Sequence, residues 1–301
     1  MTRSGAVAAA VALGFLPALT QADDTDRPIL QVEEVRKIAD RSQGFSEPSG
    51  LALASDDQGY WSVSDDSAAI FRLTPGGKLD SGLGIPLPVK GLEGVVEDTV
   101  RGRLLAVRED SAAIVAVELT DGEASLHPLS GMSGFARIAT IFGSIGSNNG
   151  LEGITINTTT DEVVVVKENR PRLMIRISAD LSTILGAVEL TGESGFACDG
   201  TEDAALDVSD ITYDAIRQAL WLLSDEGSCV VLLDAATGQM FEVPLPVSAE
   251  HPNRRLKNPE GIALNQDGTE LRVVTDDGKD SRLAILSIRI PAIAEDVSVD
   301  Q

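Results

Sequence analysis

The sequence NNGLEGITIN, residues 148–157, places the carboxylate of Glu152 between small and apolar residues at the start of a β-rich run. Nearly the same phrase recurs as KGLEGVVED at residues 90–98 and as KNPEGIALN at residues 257–265. A phrase that returns at intervals of roughly 20–50 residues is the signature of a repeat architecture. The phrase therefore predicts a chain built from similar structural units.

Five copies of the unit occur, at residues 47–73, 91–117, 150–177, 207–234 and 258–288. We call the third residue of each copy its alignment position; these residues are Ser49, Glu93, Glu152, Ser209 and Glu260. Successive alignment positions lie 44, 59, 57 and 51 residues apart. Each copy contains three apolar strands separated by turns rich in Asp, Asn and Gly, and the stretch after it has room for a fourth strand.

This pattern predicts an all-β fold, namely a five-bladed β-propeller with four-stranded antiparallel blades around a central channel. A β-sandwich is the main alternative, but it has no reason to repeat one phrase five times. Residues 27–41 are expected to supply the strand that closes the ring with the last blade. A sixth blade made from both chain ends is the other possibility. We expect residues 23–301 to form this single domain.

Residues 1–22 have the composition of a cleavable signal peptide. Arg3 precedes an apolar run over residues 5–20, and small residues surround a cleavage position after Ala22. About 15 apolar residues are fewer than the ~20 that span a bilayer, so no membrane span is expected in the mature protein. The mature protein is therefore expected to be periplasmic or secreted. In an oxidising compartment Cys198 and Cys229 either form one disulfide or remain two buried thiols.

The chain is strongly acidic. It has 24 Lys and Arg against 47 Asp and Glu, which gives a formal charge of −23. Nucleic acid and anionic membranes are negative as well, so both are excluded as expected partners. We expect a monomer that binds calcium ion together with a protein or small-molecule partner that the sequence does not identify.

Carboxylates recur at equivalent places in every copy. The residue sixteen positions after the alignment position is always acidic, and these residues are Asp65, Glu109, Glu168, Asp225 and Asp276. At the alignment position three copies have glutamate, namely Glu93, Glu152 and Glu260. The other two copies have serine there and an acid two residues earlier, Glu47 or Asp207. Because antiparallel strands place a strand start beside its partner's end, all ten carboxylates are predicted at one channel mouth.

So many like charges around a narrow opening require cations or protons. Arg108 and Lys167 precede the second-strand acids of two copies and are candidates for partial neutralisation. Oxygen donors without histidine or cysteine indicate a hard ion, and calcium is expected because it accepts six to eight oxygens in irregular geometry. Asn148, Asn149 and Asn258 are further oxygen donors nearby. The alternative is that each acid caps its own turn by accepting backbone N–H groups.

The phrases NGLEGITIN, VVVVKENRPRLMIRI, LDVSDITYD and NPEGIALNQDG resemble the SdiA-regulated (YjiK-like) family of bacterial propellers, over roughly residues 40 to 290. The resemblance implies a five-bladed propeller with bound calcium and a link to calcium homeostasis. The residues that match the family pattern are Glu152, Lys167, Glu168, Asp207, Ser209 and Glu260. Asp210 departs from the pattern, since the family has glycine there, so this carboxylate either strengthens the metal site or points elsewhere.

Two functions are compatible with these residues. The first is a calcium-binding module for binding, signalling or calcium homeostasis. The second is a metal-dependent hydrolase, such as a lactonase or phytase-like esterase, with Glu152 or Glu260 as base. No catalytic residue is assigned on this basis. Serine–histidine catalysis is not favoured, because His127 and His251 each precede proline in expected connecting loops. Trp61 and Trp221 occupy equivalent second-strand positions, which predicts packing between blades.

Overall fold

The computed structural model describes residues 27–80, 82–146, 150–251 and 253–290. Within these residues the chain forms twenty β-strands and one α-helix, α1 (Phe135–Phe142). The strands make five antiparallel four-stranded sheets, which are the blades of a β-propeller. The predicted fold is therefore confirmed. The predicted signal peptide lies outside the described residues.

Blades 1 to 4 each use four consecutive strands, numbered from the channel outwards. Blade 1 contains β2 (Pro48–Leu53), β3 (Tyr60–Ser64), β4 (Ala69–Leu73) and β5 (Ile85–Pro86). Blade 2 contains β6 (Leu92–Asp98), β7 (Arg103–Arg108), β8 (Ala113–Glu118) and β9 (Ala124–Pro128). Blade 3 contains β10 (Leu151–Asn157), β11 (Glu162–Lys167), β12 (Leu173–Ser178) and β13 (Ile184–Glu189). Blade 4 contains β14 (Asp210–Asp214), β15 (Ala219–Ser224), β16 (Cys229–Asp234) and β17 (Met240–Pro244).

Blade 5 is built from both ends of the described chain. Its inner strands are β18 (Pro259–Leu264), β19 (Glu270–Thr275) and β20 (Arg282–Arg289). The fourth strand is β1 (Ile29–Lys37), which pairs antiparallel with β20. The expected ring closure by the N-terminal segment is confirmed. The sixth blade that was the alternative does not occur within the described residues.

The innermost strands of neighbouring blades contact one another around the ring, in the order β2, β6, β10, β14 and β18. Apolar side chains fill the space between each pair of blades and form five clusters. Trp221 is fully buried between blades 4 and 5, and Trp61 lies in the cluster between blades 1 and 2. Both indole N–H groups donate to a carboxylate, at 3.1 Å to Asp214 and 2.8 Å to Glu97. The packing role predicted for both tryptophans is confirmed.

A β-bulge explains why a strand begins on a carboxylate. Leu151 pairs with Lys167 and Gly153 pairs with Val166, so Glu152 is an extra residue between them. The same register shift occurs at the alignment positions of blades 1, 2 and 5, which are Ser49, Glu93 and Glu260. A bulge bends the strand and redirects the extra side chain. The bulges thus present the alignment residues at the channel mouth.

Cys198 and Cys229 form a disulfide, with Cα atoms 6.1 Å apart. Of the two states that the sequence left open, the structure shows the bonded one. The bridge ties the segment before β14 to the start of β16, beside the rim turn of blade 4. No helix among the described residues is long and apolar enough to cross a bilayer.

Candidate metal centre

A cavity of about 310 Å³ lies at one mouth of the channel, and acidic side chains surround it. Nine of the ten predicted carboxylates line this cavity, namely Asp65, Glu93, Glu109, Glu152, Glu168, Asp207, Asp225, Glu260 and Asp276. The remaining lining residues are Ser49, Ser209 and Glu226. All five blades contribute to it, so the tertiary structure gathers carboxylates that are more than 200 residues apart along the chain, as Asp65 and Asp276 are. We call this cavity the acidic mouth.

The second-strand acids are placed by backbone hydrogen bonds. Each of the five directly follows the last residue of its blade's second strand. In blade 3 the N–H of Glu168 donates to the carbonyl of Gly150 at 3.0 Å. The equivalent bond in blade 5 joins Asp276 to Asn258 at 2.8 Å. These bonds, and the one from Glu109 to Gly91 at 3.3 Å, hold the second-strand acids of blades 2, 3 and 5 beside their strand starts, as the hairpin geometry predicted.

The tightest group of donors joins two blades. Carboxylate oxygens of Glu109, Glu152 and Glu168 lie within 4.8 Å of one another. Glu109 belongs to blade 2, whereas the other two belong to blade 3, and the N–H of Gly150 donates to Glu109 at 3.4 Å. Three oxygen donors at this spacing suit a hard divalent cation.

Glu47 is the one predicted carboxylate that does not line the acidic mouth. Its carboxylate lies within 4.8 Å of Asp65, which lines the cavity, and of Asp66, which does not. A hydrogen bond with Asp66 raises the pKa of Glu47, and burial raises it further. Glu47 precedes β2 and lies outside the strand, so the alternation of side chains along a strand does not govern where it points.

Turn capping accounts for the contacts of Asp207. Its carboxylate accepts the Ser224 hydroxyl at 2.6 Å, the N–H of Glu226 at 3.0 Å and the N–H of Asp225 at 3.3 Å. The capping interpretation therefore applies to this residue. Because a carboxylate has about four lone-pair sites, capping leaves Asp207 with acceptor capacity toward the acidic mouth.

No basic side chain of the described residues forms an ion pair with the acidic mouth. Among the ion pairs of the described residues, none includes a carboxylate that lines this cavity. Arg108 pairs with Asp110 at 2.8 Å, away from the lining residues. The Lys167 ammonium is buried and donates to the backbone carbonyls of Asn169 and Pro171. Of the two expected neutralising residues, only Lys167 acts on the site, where its charge lowers the pKa of Glu168.

Crowding and burial shift the protonation of the acidic mouth. The pKa is raised to about 7 for Glu93, Glu168 and Asp225, and to about 9 for Glu260. Burial is the largest cause in each case, and neighbouring carboxylates raise the pKa further. Burial, followed by the charges of Glu93 and Glu168, also holds the pKa of Glu152 well above its ordinary value. At neutral pH the cation-free mouth is therefore partly protonated.

These shifts predict how stability depends on pH. A carboxyl with a raised folded-state pKa binds more protons in the folded than in the unfolded state, so the free energy of unfolding falls as pH rises. Glu93, Glu168, Asp225 and Glu260 place this loss between about pH 4.5 and pH 9. We expect the Tm of chelator-treated protein to fall by several degrees from pH 5 to pH 9.

The matched measurement repeats the melts with saturating calcium. A bound cation compensates the ionised carboxylates, so the slope of Tm against pH is expected to be smaller. A chelator-treated protein whose Tm is constant or rises over this range would contradict the assignment of protons to the acidic mouth.

The remaining residues that the sequence analysis discussed near the site or as catalytic candidates are three asparagines and two histidines. Asn148 and Asn149 lie outside the described residues. The side-chain amide of Asn258 donates to Asp276 O at 3.0 Å and to Asp277 at 3.2 Å, so it stabilises the rim turn. His127 lies in the outer strand β9, which corrects the expected loop position, and His251 is exposed in a loop.

Three lining residues were not singled out as ligands by the sequence, namely Ser49, Ser209 and Glu226. An acid follows the second-strand acid in four copies, as Asp66, Asp110, Glu226 and Asp277, but of these only Glu226 lines the cavity. Ser49 occupies the bulge in place of glutamate and lowers the pKa of Glu93 through a hydrogen bond. Asp210 is absent from the lining, and its side chain lies deeper in the channel.

A family model described as SdiA-regulated matches residues 31–276. The chain belongs to this family. The match covers all five repeats up to the last second-strand acid, and it confirms the resemblance that the strand-start motifs indicated. No curated protein sequence matches this member of the SdiA-regulated family significantly.

Solved structures resemble this SdiA-regulated chain in fold. The glutaminyl cyclase of Myxococcus xanthus aligns with a TM-score of 0.56 at 12% identity, over 89% of this chain and 99% of that one. A chain of a nidogen/laminin complex aligns with a TM-score of 0.48 at 15% identity, over 83% and 86%. A luciferin-regenerating enzyme aligns with a TM-score of 0.46 at 11% identity, over 87% of this chain and 95% of that one. At these identities the likeness concerns the fold alone.

Proposed function

We propose that this protein is a calcium-binding β-propeller that acts outside the cytoplasm as a binding, signalling or calcium-homeostasis module. The observation that carries the proposal is the acidic mouth itself. Nine carboxylates from five blades face one cavity, and none of the ion pairs within the described residues compensates them. A site with this surplus of negative charge is stabilised most by a cation.

The donor set fits calcium. Glu109, Glu152 and Glu168 supply the closest oxygens, and the remaining lining carboxylates surround them. Calcium accepts six to eight oxygen ligands in irregular arrangements, whereas magnesium needs a near-ideal octahedron. A bound cation supplies positive charge that favours the ionised carboxylates and joins blades 2 and 3 through their side chains. The proposed role is therefore both recognition of the ion and stabilisation of the ring.

The location outside the cytoplasm is part of the proposal. Disulfides persist in oxidising compartments, and the Cys198–Cys229 bridge supports such a location. The composition of residues 1–22 supports it from the sequence. The partner that would respond to calcium binding is a protein or a small molecule.

The proposal is tested by calorimetric titration of chelator-treated, mature protein with calcium and then with magnesium. We expect binding of calcium, weaker binding of magnesium, and a rise in Tm with calcium excess. A ligand at 100 times its Kd stabilises the folded state by about 2.7 kcal/mol. Because carboxyls with a pKa of about 7 to 9 must lose protons, calcium binding at pH 7 is also expected to release protons. Titrations in buffers of different ionisation enthalpy measure that release. Absence of both heat and Tm shift would refute the proposal.

A metal-dependent hydrolase is the second candidate, and the size of the acidic mouth favours it. About 310 Å³ exceeds the space that one ion fills and lies within the range of small-molecule pockets. A neutral substrate such as a lactone suits this negative site better than a phosphate ester. In this candidate Glu152 or Glu260 acts as base. Hydrolysis of lactones by the calcium-loaded protein, lost in Glu260→Gln, would support it; absence of turnover across lactones and phosphate esters would exclude these substrate classes.

A further inference from the structure

The innermost strands of the propeller approach one another most closely one residue after the alignment position. Four blades have glycine there, and a Cβ atom on any of these glycines would lie 2.5–2.8 Å from a backbone atom of the next blade. These glycines are Gly50, Gly94, Gly153 and Gly261. The fifth blade has Asp210 at the equivalent position. Among these five equivalent positions around the channel, Asp210 is therefore the only one with a side chain.

The Asp210 carboxylate is bonded by backbone N–H groups from four blades. Its Oδ1 accepts the N–H of Ile211 at 2.8 Å, and its Oδ2 accepts the N–H of Ile262 at 2.8 Å. Leu51 and Ile154 also donate N–H groups to it. All four donors stand two residues after their alignment positions. The side chain is 1% exposed, so the carboxylate lies buried at the centre of the ring.

These N–H groups belong to the inner edges of the sheets. An edge strand presents backbone groups that no neighbouring strand satisfies, and a buried N–H without a partner costs about 1–3 kcal/mol. The repeated geometry directs several such donors toward one point. Convergent backbone N–H groups form a concave site that favours anions.

The hydrogen-bonding pattern favours a charged ligand. Burial is the larger effect and raises the pKa of the Asp210 carboxyl well above its ordinary value, whereas the N–H groups of Ile262, Ile211, Leu51 and Ile154 act in the opposite direction and favour the ionised form. Each carboxylate oxygen accepts an N–H bond, and the ionised carboxylate is the form that accepts at both oxygens without donating. Among the described ion pairs, none supplies a basic side chain to it.

We propose that the centre of the channel is an anion-binding site, built from inward-facing backbone N–H groups of several blades, with the Asp210 carboxylate as its resident ligand. Removal of that side chain opens the site to a free monovalent carboxylate. Acetate has the same heavy atoms as the lost group, because the Asp210 side chain is a methylene joined to a carboxylate. Formate is one carbon smaller and fits the same donors.

The position of this site divides the channel into two compartments. Ser49, Glu152 and Ser209, one level above it, line the acidic mouth. Leu51 and Ile154, which donate to Asp210, line a separate cavity of about 240 Å³ on the opposite side. The Asp210 carboxylate thus lies between the acidic mouth and a second cavity that both apolar and polar side chains line. The proposal is independent of whether the acidic mouth binds calcium.

Thermal melts of Asp210→Gly in different sodium salts test the proposal. At equal ionic strength we expect a lower Tm than wild type in sulfate, and a rise of about 5 °C or more as acetate or formate replaces sulfate. Wild type is expected to show no difference between these salts, because its site is filled. Val231→Ala, a buried blade 4 variant outside the channel, controls for general salt effects on a destabilised propeller.

If Asp210→Gly does not fold, Asp210→Asn provides the test instead. The asparagine amide offers one oxygen and turns an NH₂ group toward N–H donors, so we expect a Tm several degrees below wild type without rescue by acetate. An Asp210→Asn variant as stable as wild type would overturn the proposal that the site holds a charged carboxylate. So would an Asp210→Gly variant as stable as wild type, or one whose response to acetate equals that of Val231→Ala.

Discussion

Replacement of Glu152 and Glu260 together by glutamine is expected to lower calcium affinity by at least about 100-fold, which corresponds to ~2.7 kcal/mol. Both side chains sit in bulges that direct them into the acidic mouth, and both are buried enough that burial raises their pKa. Glutamine keeps the shape of each side chain and removes the charge that attracts the cation. Titration calorimetry measures the affinity directly.

The double variant also has a distinct thermal signature. Its cation-free Tm is expected to equal or exceed that of wild type, because two carboxyls no longer contribute to the crowding of charge. The rise in Tm that we expect calcium to cause in wild type should be absent from the double variant. Loss of affinity together with a lower cation-free Tm would instead indicate a damaged fold.

Asp56→Asn with Asp57→Asn is the matched control, since it also removes two carboxylates. Both residues lie in the turn between β2 and β3, at the end of β2 opposite the acidic mouth. Asp56 pairs with the buried Arg72, so this control is expected to lose some stability but to keep its calcium affinity. Equal affinity losses in the two double variants would show that the calcium response reflects overall charge alone.

Replacement of Gly94 by alanine is expected to destabilise the protein by about 3 kcal/mol or to prevent folding. The added Cβ would lie 2.5 Å from the carbonyl oxygen of Glu152 and 2.9 Å from the Cα of Gly153. Both atoms belong to the backbone of blade 3, which cannot move without widening the ring. Overpacking of well-packed interiors costs about 1–3 kcal/mol and more where the backbone must shift. Denaturant unfolding measures the loss.

Gly131→Ala is the control for a glycine-to-alanine change. A Cβ atom at Gly131 meets nothing within 4 Å, so this variant is expected to stay within about 1 kcal/mol of wild type. Two variants of equal stability would contradict the close approach of the inner strands. Because Gly94 is adjacent to Glu93, calcium affinity of a folded Gly94→Ala variant is also expected to fall.

Much of the fold was predictable because its signals are local. The alternation of apolar residues and acidic turns marks each strand within a few residues, and the repetition of NGLEGITIN-like phrases marks each blade. The second-strand acids were placed correctly because antiparallel pairing relates a strand's end to its partner's start. The match of residues 31–276 to the SdiA-regulated family confirms the family resemblance that these repeated phrases indicated.

Details of the candidate site depended on contacts that the sequence does not encode locally. The bulges at Glu93, Glu152 and Glu260 arise from register, which the pairing of two strands defines. Arg108 and Lys167 stand beside second-strand acids in the sequence, yet their charged groups are held by Asp110 and by backbone carbonyls. Adjacency to Glu109 and Glu168 did not predict ion pairs with those acids, because neighbouring residues on a strand point to opposite faces.

The sequence by itself determined that this protein repeats one β-rich unit five times and that each unit brings acids to the same rim. Only the tertiary structure decided which acids share a cavity. Glu47 and Asp207 both precede their strands, but only Asp207, which caps the rim turn of blade 4, lines the acidic mouth. Asp210 was withdrawn from it because backbone N–H groups converge on its carboxylate. Residue type and spacing indicate which carboxylates approach the channel. The hydrogen-bond donors that surround each carboxylate in the closed ring determine where it is held.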